Sequence, residues 1–207
     1  MRTADRVAAD DVLADLPIFP LGTVLFPDGL LPLRVFETRY MDMTRECMRS
    51  GTPFGVCLIR EGAEVGAPAV PEPVGTLANI VDWDMQELGV LAVRARGGDR
   101  FRIREARTTR QGLVRASVER LSRDADRPVP ERHAGCARLL QLVVADQPAG
   151  TFAEPHRFED AAWVGCRLAE VLPIPAGARQ KLLELDDGIE RLEILHRFLE
   201  QRGLVSS

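Results

Sequence analysis

The order of apolar and polar positions divides the chain into two unlike parts. In LPIFPLGTVLFPDGLLPLRVFE, residues 16–37, short apolar runs are cut by Pro20, Gly22, Pro27, Asp28, Gly29 and Pro32. Proline removes a backbone donor and clashes with the preceding helical turn, so this stretch predicts short strands joined by turns. Thr38–Arg49 has no breaker, and Tyr40, Met43 or Thr44, and Cys47 or Met48 recur at helical spacing, which predicts a helix ended by Ser50 and Gly51. Phe54–Arg60 predicts a buried strand, and residues 61–73, with three prolines and two glycines, a surface loop. Gly75–Val93 predicts strands around a turn near Glu87–Gly89. In Arg100–Glu105, Phe101 and Ile103 alternate with Arg100, Arg102 and Arg104, which predicts one face in and one face out. Gln111–Leu121 alternates similarly through Leu113, Val114, Ala116 and Val118.

Beyond Asp124 the period changes to that of helices. Glu131–Ala145 predicts one. Phe158–Leu172 predicts another, with Ala161, Val164, Leu168 and Val171 on one face and Pro173 and Pro175 stopping it. A short helix is expected over Ala176–Leu185. The last begins at Asp187, with Glu190 three residues on as in a capping box, and Ile189, Leu192, Leu195 and Leu199 line its inner face. Strands first and helices second predict an α+β fold. The expected divisions are a loose leader over residues 1–15, a β-rich part over 16–123 and a helical part over 124–207.

Composition narrows the function. Of 207 residues, 45% are hydrophobic and 28% charged, enough apolar mass for a core and too little charge bias for disorder. The net charge of -4 gives no global attraction to nucleic acid or an anionic membrane. The N-terminus is charged and lacks the apolar core of a secretory signal, and no apolar run is long enough for a membrane helix. Cys47, Cys57, Cys136 and Cys166 are few and irregularly spaced, which predicts reduced, mostly buried thiols and a cytoplasmic protein.

The expected catalytic set is empty. Lys181 is the only lysine, and its Arg-Gln-Lys-Leu-Leu setting is neither a phosphate-binding loop nor a serine-lysine peptidase site. His133 and Cys136 lie three apart, but no further ligand pairs with them in sequence, so no metal and no cofactor is expected. Asp82 and Asp84 flank Trp83 at strand spacing, and Asp186 and Asp187 sit at a helix start; neither pair suggests acid–base chemistry. One charge feature stands out. Residues 94–115 carry eight arginines against Asp99 and Glu105, a local excess of six. Arg100, Arg102 and Arg104 could grip phosphates; the plainer reading is a wet outer strand face.

Three stretches carry a family resemblance: LPIFPLGTVLFPDGLLPLRVFETRY (16–40), GTLANIVDWDMQELGVLAVRARGGDRFRI (75–103) and LAEVLPIPAGARQKLLELDDGIERLEILHRFLE (168–200). Together, and in this order, they resemble the substrate-binding (N-terminal) domain of Lon proteases. The resemblance implies a PUA-like pseudo-barrel followed by a helical bundle. It also implies a non-catalytic role in engaging unfolded or tagged polypeptides. The chain reaches Ser207 without ATPase or peptidase motifs, so the expectation is a stand-alone member, an adaptor in protein quality control with a separate protease as partner.

On that reading, exposed apolar side chains beside a sheet edge would accept an extended segment. Phe36, Phe54, Trp83 and Met85 are the candidate residues. Phe36 and Phe54 also read as plain core; Trp83 and Met85, sharing one strand face, are preferred. The alternative is RNA binding through Arg100, Arg102 and Arg104, although aromatic stacking residues are sparse there. No membrane partner is expected, and weak homodimerisation is one way to cover an apolar patch left by the absent ATPase.

Overall fold

The computed structural model describes residues 11–205. It has seven strands: β1 (Val12–Leu21), β2 (Leu30–Val35), β3 (Phe54–Glu61), β4 (Val70–Pro71), β5 (Val74–Glu87), β6 (Val90–Thr108) and β7 (Val114–Arg120). The sheet runs β1-β7-β6-β5-β3-β4, and β1 also pairs with β3 in parallel, which closes five strands into a ring. Pairing of β2 with β6 adds a three-stranded extension, β2-β6-β5, beyond the ring.

Apolar alternation fills the ring. Ile18, Leu77, Phe101, Ala116 and Val118 point into one buried cluster. The Phe101 ring fits because Gly55 and Gly75 stand beside it: a Cβ at either would lie 2.7 or 2.8 Å from its Cζ. Helix α1 (Thr38–Ser50) covers the extension. Tyr40, Met43 and Cys47 pack with Val35, Leu91 and Val93, and Tyr40 stacks on Phe19 at 3.9 Å. Gly51, at φ 67°, ends this helix in the left-handed conformation that glycine adopts without strain.

The remaining helices are α2 (Ala134–Asp146), α3 (Ala161–Val171), α4 (Ala176–Glu184) and α5 (Gly188–Glu200). Each of two caps satisfies amides left orphaned at a helix start. Asp160 accepts from Ala162 N at 3.0 Å, and Asp187 accepts from Ile189 N at 2.7 Å and Glu190 N at 3.3 Å. Helix α3 is the buried centre. Val24 and Phe26 from the β1–β2 loop and Leu58 and Val74 from the sheet join its apolar cluster, so both halves of the chain share a core. The α+β class is therefore as the sequence predicts.

Two differences have clear physical causes. Of the expected leader, residues 1–10 lie outside the described residues, but Val12 onward is strand: Val12 pairs with Glu119 and Leu13 with Val118. Alternation was hidden there because the register shifts between Leu13 and Leu16, and Asp15 has φ 60°. The acidic character that suggested a loose segment is used instead in ion pairs from Asp15 to Arg107 at 2.6 Å and to Arg115 at 3.1 Å. The expected strand Arg100–Glu105 is the middle of β6, 19 residues long, and its outward face is not uniformly wet. Arg100 is 4% exposed, because the helical half covers that end of the strand.

Candidate functional site

The pairing of β5 with β3 ends at Phe54↔Ala78, whereas its pairing with β6 continues to Glu87↔Val90. From Asn79 to Glu87, β5 is therefore an open sheet edge among the described residues. Such an edge presents unpaired backbone donors and acceptors to any extended chain. Within this edge the Trp83 amide donates to its neighbour Asp82 Oδ1 at 2.9 Å.

Register assigns the faces. Trp83 lies opposite Val93, which is buried, while Asp82 and Asp84 lie opposite Arg94 and Ala92 on the other face. Trp83 thus shares the core-facing side of the sheet but overhangs its edge, 54% exposed. Met85 is also exposed, as is Val81, which occupies an irregularity between Ile80 and Asp82. Leu88, in the β5–β6 turn, is fully exposed. Beside them, Met48, Gly51 and Thr52 at the end of α1 form the far wall of an open groove of about 290 Å³ whose near wall is Ile80, Val81 and Trp83.

The four apolar candidates are not brought together. Phe54 is 1% exposed and packs against Phe19 in the core, so it leaves the site; its strand β3 is covered on both faces. Phe36 is 54% exposed, contrary to the core reading, because it follows the last residue of β2 and has no strand over it. It lines a different groove, of about 300 Å³, with Tyr40, Leu33 and Val65. The adjoining β2 edge carries Pro32, which has no amide to offer a partner strand. Of the two grooves, the one beside Trp83 and Met85 has the better edge. Leu88 and Val81 were missed in the sequence, although an apolar residue at a turn tip was a readable signal.

The arginine strand is largely neutralised. Arg100 donates to Leu183 O at 2.9 Å, Leu185 O at 2.6 Å and Ser122 O at 3.2 Å, and pairs with Asp124 at 3.1 Å. It is a clamp between sheet and helices and is corrected as a phosphate-binding candidate: a guanidinium whose donors are taken by buried carbonyls cannot reach an external anion. Arg104 pairs with Glu119, Arg96 with Asp28 and Arg115 with Glu46. Arg102 stays partly exposed, with the Glu184 carboxylate in its field.

Nor do the chemically active side chains converge. Lys181 is exposed and pairs with Glu184 at 2.7 Å. All four cysteines are free and buried. Burial pushes the Cys136 thiol up to about 11, far from a nucleophile, though it lies 3.6 Å from His196 Nδ1. Among the described residues, no group of three or more metal-ligating side chains could hold an ion. A cleft between β6 and α3, lined by Asp28, Arg123, Asp126 and Trp163, has only about 90 Å³, well short of the roughly 300 Å³ at which ligand pockets begin.

His133 does have a measurable consequence. Its ring is buried 4.8 Å from that of His196, with Nε2 2.9 Å from Glu193. Burial lowers its pKa, opposed by Glu193 and helped by His196 and Arg132. A histidine with a folded pKa below its unfolded value contributes stability that is fully present above about pH 6.5 and is lost as pH falls toward the folded value. His133→Gln, with no titrating ring, is therefore expected to lose less urea midpoint between about pH 7.5 and 5.5 than the wild type. An equal loss would place the titrating group elsewhere.

Comparison with known proteins gives a consistent answer. The family described as the ATP-dependent protease La (LON) substrate-binding domain matches residues 15–201. The crystal structure of a Lon N-terminal domain protein from Xanthomonas campestris is similar, with 40% sequence identity and a TM-score of 0.76, over 90% of this chain and 99% of that one. Lon protease 2 of Herpetosiphon aurantiacus is 27% identical over 210 residues, 95% of this chain and 25% of that protein. Protein cereblon of Danio rerio is 28% identical over 114 residues, 53% of this chain and 26% of that protein. The alignments thus cover about a quarter of the length of these two curated relatives. Among the described residues, no helix is long and apolar enough to cross a membrane.

Proposed function

This chain belongs to the ATP-dependent protease La (LON) substrate-binding domain family, and from that premise we propose that it binds extended polypeptide segments along the open edge of β5. The observation that carries this reading is the combination at residues 79–87 of an unpaired strand edge with exposed Val81, Trp83 and Met85. An added strand would take its affinity from main-chain hydrogen bonds and its preference from alternate side chains entering the groove beside α1. Unfolded chains offer such segments and folded ones hide them.

Recognition, and no chemistry, is the chain's share of the work. The family match covers residues 15–201, so the substrate-binding domain accounts for nearly all of these 207 residues. In the adaptor reading, the bound segment passes to a protease on another chain. RNA binding has weaker support, because Arg100 and Arg104 are already engaged.

Trp83→Ala is the direct test. Central aromatic anchors commonly account for about 2 kcal/mol of binding, so affinity for a fluorescein-labelled, reduced and carboxymethylated protein is expected to fall roughly 30-fold in anisotropy titrations. Because the side chain is exposed, stability should stay within about 0.5 kcal/mol of wild type. Unchanged affinity with the fold intact would remove Trp83 from the site.

A further inference from the structure

We infer that the β5 edge selects segments in which apolar residues alternate with cationic ones. The inference rests on the polypeptide reading above and concerns its substrate class. In an added strand, side chains directly opposite Trp83 fall on the groove side, and those opposite Asp82 and Asp84 fall on the outer side. The groove side is lined by Met48, Ile80 and Val81 together with Thr52 and Asn79, and among the described residues no charged side chain is in its wall. On the outer side both aspartates are exposed, and neither is in an ion pair among the described residues. One face of the incoming strand thus meets an uncharged groove with apolar side chains, and the other meets two carboxylates two residues apart, with Arg94 across the β5–β6 pair from Asp82.

The same charges argue against a second copy of this chain as the occupant. Antiparallel pairing of β5 with β5 about a two-fold axis through Trp83 sets Asp82 opposite Asp84 twice over. Like charges directly opposed across strands are destabilising. Lysine or arginine at those positions converts the repulsion into attraction. Charged edges commonly prevent sheet-to-sheet association, and here they also give the edge a preference.

Three fluorescein-labelled nine-residue peptides test this by anisotropy with the whole chain: leucine or valine alternating with lysine, with serine, or with glutamate. The lysine peptide is expected to bind roughly tenfold more tightly than the glutamate peptide at low ionic strength. The difference should shrink at about 0.5 M salt. Asp82→Asn with Asp84→Asn keeps the acceptor for the Trp83 amide, and should bring the lysine and glutamate peptides to equal affinity without abolishing binding. Equal binding of the lysine and glutamate peptides to the wild type overturns the charge preference and leaves the polypeptide reading intact. A lysine preference that survives in the double variant also overturns it, by placing the attraction elsewhere. Binding of none of the three overturns the polypeptide reading, and the preference with it.

Discussion

Arg191→Met is expected to destabilise the fold by about 3–5 kcal/mol, the cost of removing one member of a buried charge pair. Arg191 is 1% exposed on α5. Its Nε donates to Leu182 O at 2.8 Å, Nη2 to Leu185 O at 2.8 Å, and Nη1 to Asp124 Oδ2 at 2.5 Å. Methionine replaces the stem's volume but none of these donors. Leu182 O and the Asp124 carboxylate then lose partners in a place water reaches poorly. For a chain of this size the change should lower the melting temperature by roughly 10 °C. Arg197→Met on the same helix is the control. Arg197 is exposed and, among the described residues, its side chain pairs only with Glu193 at i,i+4, a contact worth about 0.3–0.5 kcal/mol. Urea and thermal melts of the two variants check the contrast; similar losses would show that Arg191 is no clamp.

Gly97→Ala is expected to cost about 3 kcal/mol or more for a different reason, the collision of a new methyl with backbone. An added Cβ would lie 2.1 Å from Phe26 O and 3.3 Å from Leu25 Cγ. The carbonyl cannot withdraw cheaply. Phe26 is fully buried, Gly29 N donates to that same oxygen at 3.0 Å, and the loop is tied to β6 by Gly97 N to Gly29 O at 2.8 Å and Asp28 N to Gly97 O at 2.9 Å. The same loop offers Pro27 O to Arg167 at 2.7 Å and Asp28 to Arg157. Displacing it would loosen the seam between sheet and helices. The expected signature is a lower urea midpoint with increased binding of an apolar dye. Gly177→Ala, where an added Cβ meets nothing within 4 Å, is the comparison. A Gly97→Ala variant as stable as wild type would mean that the loop moves freely.

Both residues lie in the seam, and neither stands out in the sequence. Arg191 reads there as one more charge on an amphipathic helix, and Gly97 as half of a Gly-Gly pair in a hairpin strand. Their importance comes from groups distant in the chain: Asp124 is 67 residues from Arg191. The candidate site is more legible. Trp83 and Met85 were placed on one strand face by alternation alone, and the structure leaves both exposed on a free edge. Phe54 and Phe36 were interchangeable as apolar residues beside helix α1, yet one is core and the other surface.

By itself, the sequence determined the local grammar: strands joined by a turn at Pro27 and Asp28 before Thr38 (although β1 and β2 run through Pro20 and Pro32, which the sequence reads as breaks), a helix ended at Gly51, period-two alternation through Phe101 and Ile103, and a final helix capped at Asp187. Those features depend on φ preference, missing donors and cap hydrogen bonds within a few residues, so a short window contains their causes. Tertiary structure decided the rest. It turned the acidic segment at Asp15 into a paired strand through Arg107, 92 residues away. It closed the ring through the parallel pairing of β1 with β3 and buried Arg100 under Leu183 and Leu185. It also ended β3 pairing at Ala78, which is what leaves the edge at Trp83 open. Periodicity states which face of an element is apolar; what covers that face, and which edge goes unpaired, depends on elements brought together from far along the chain.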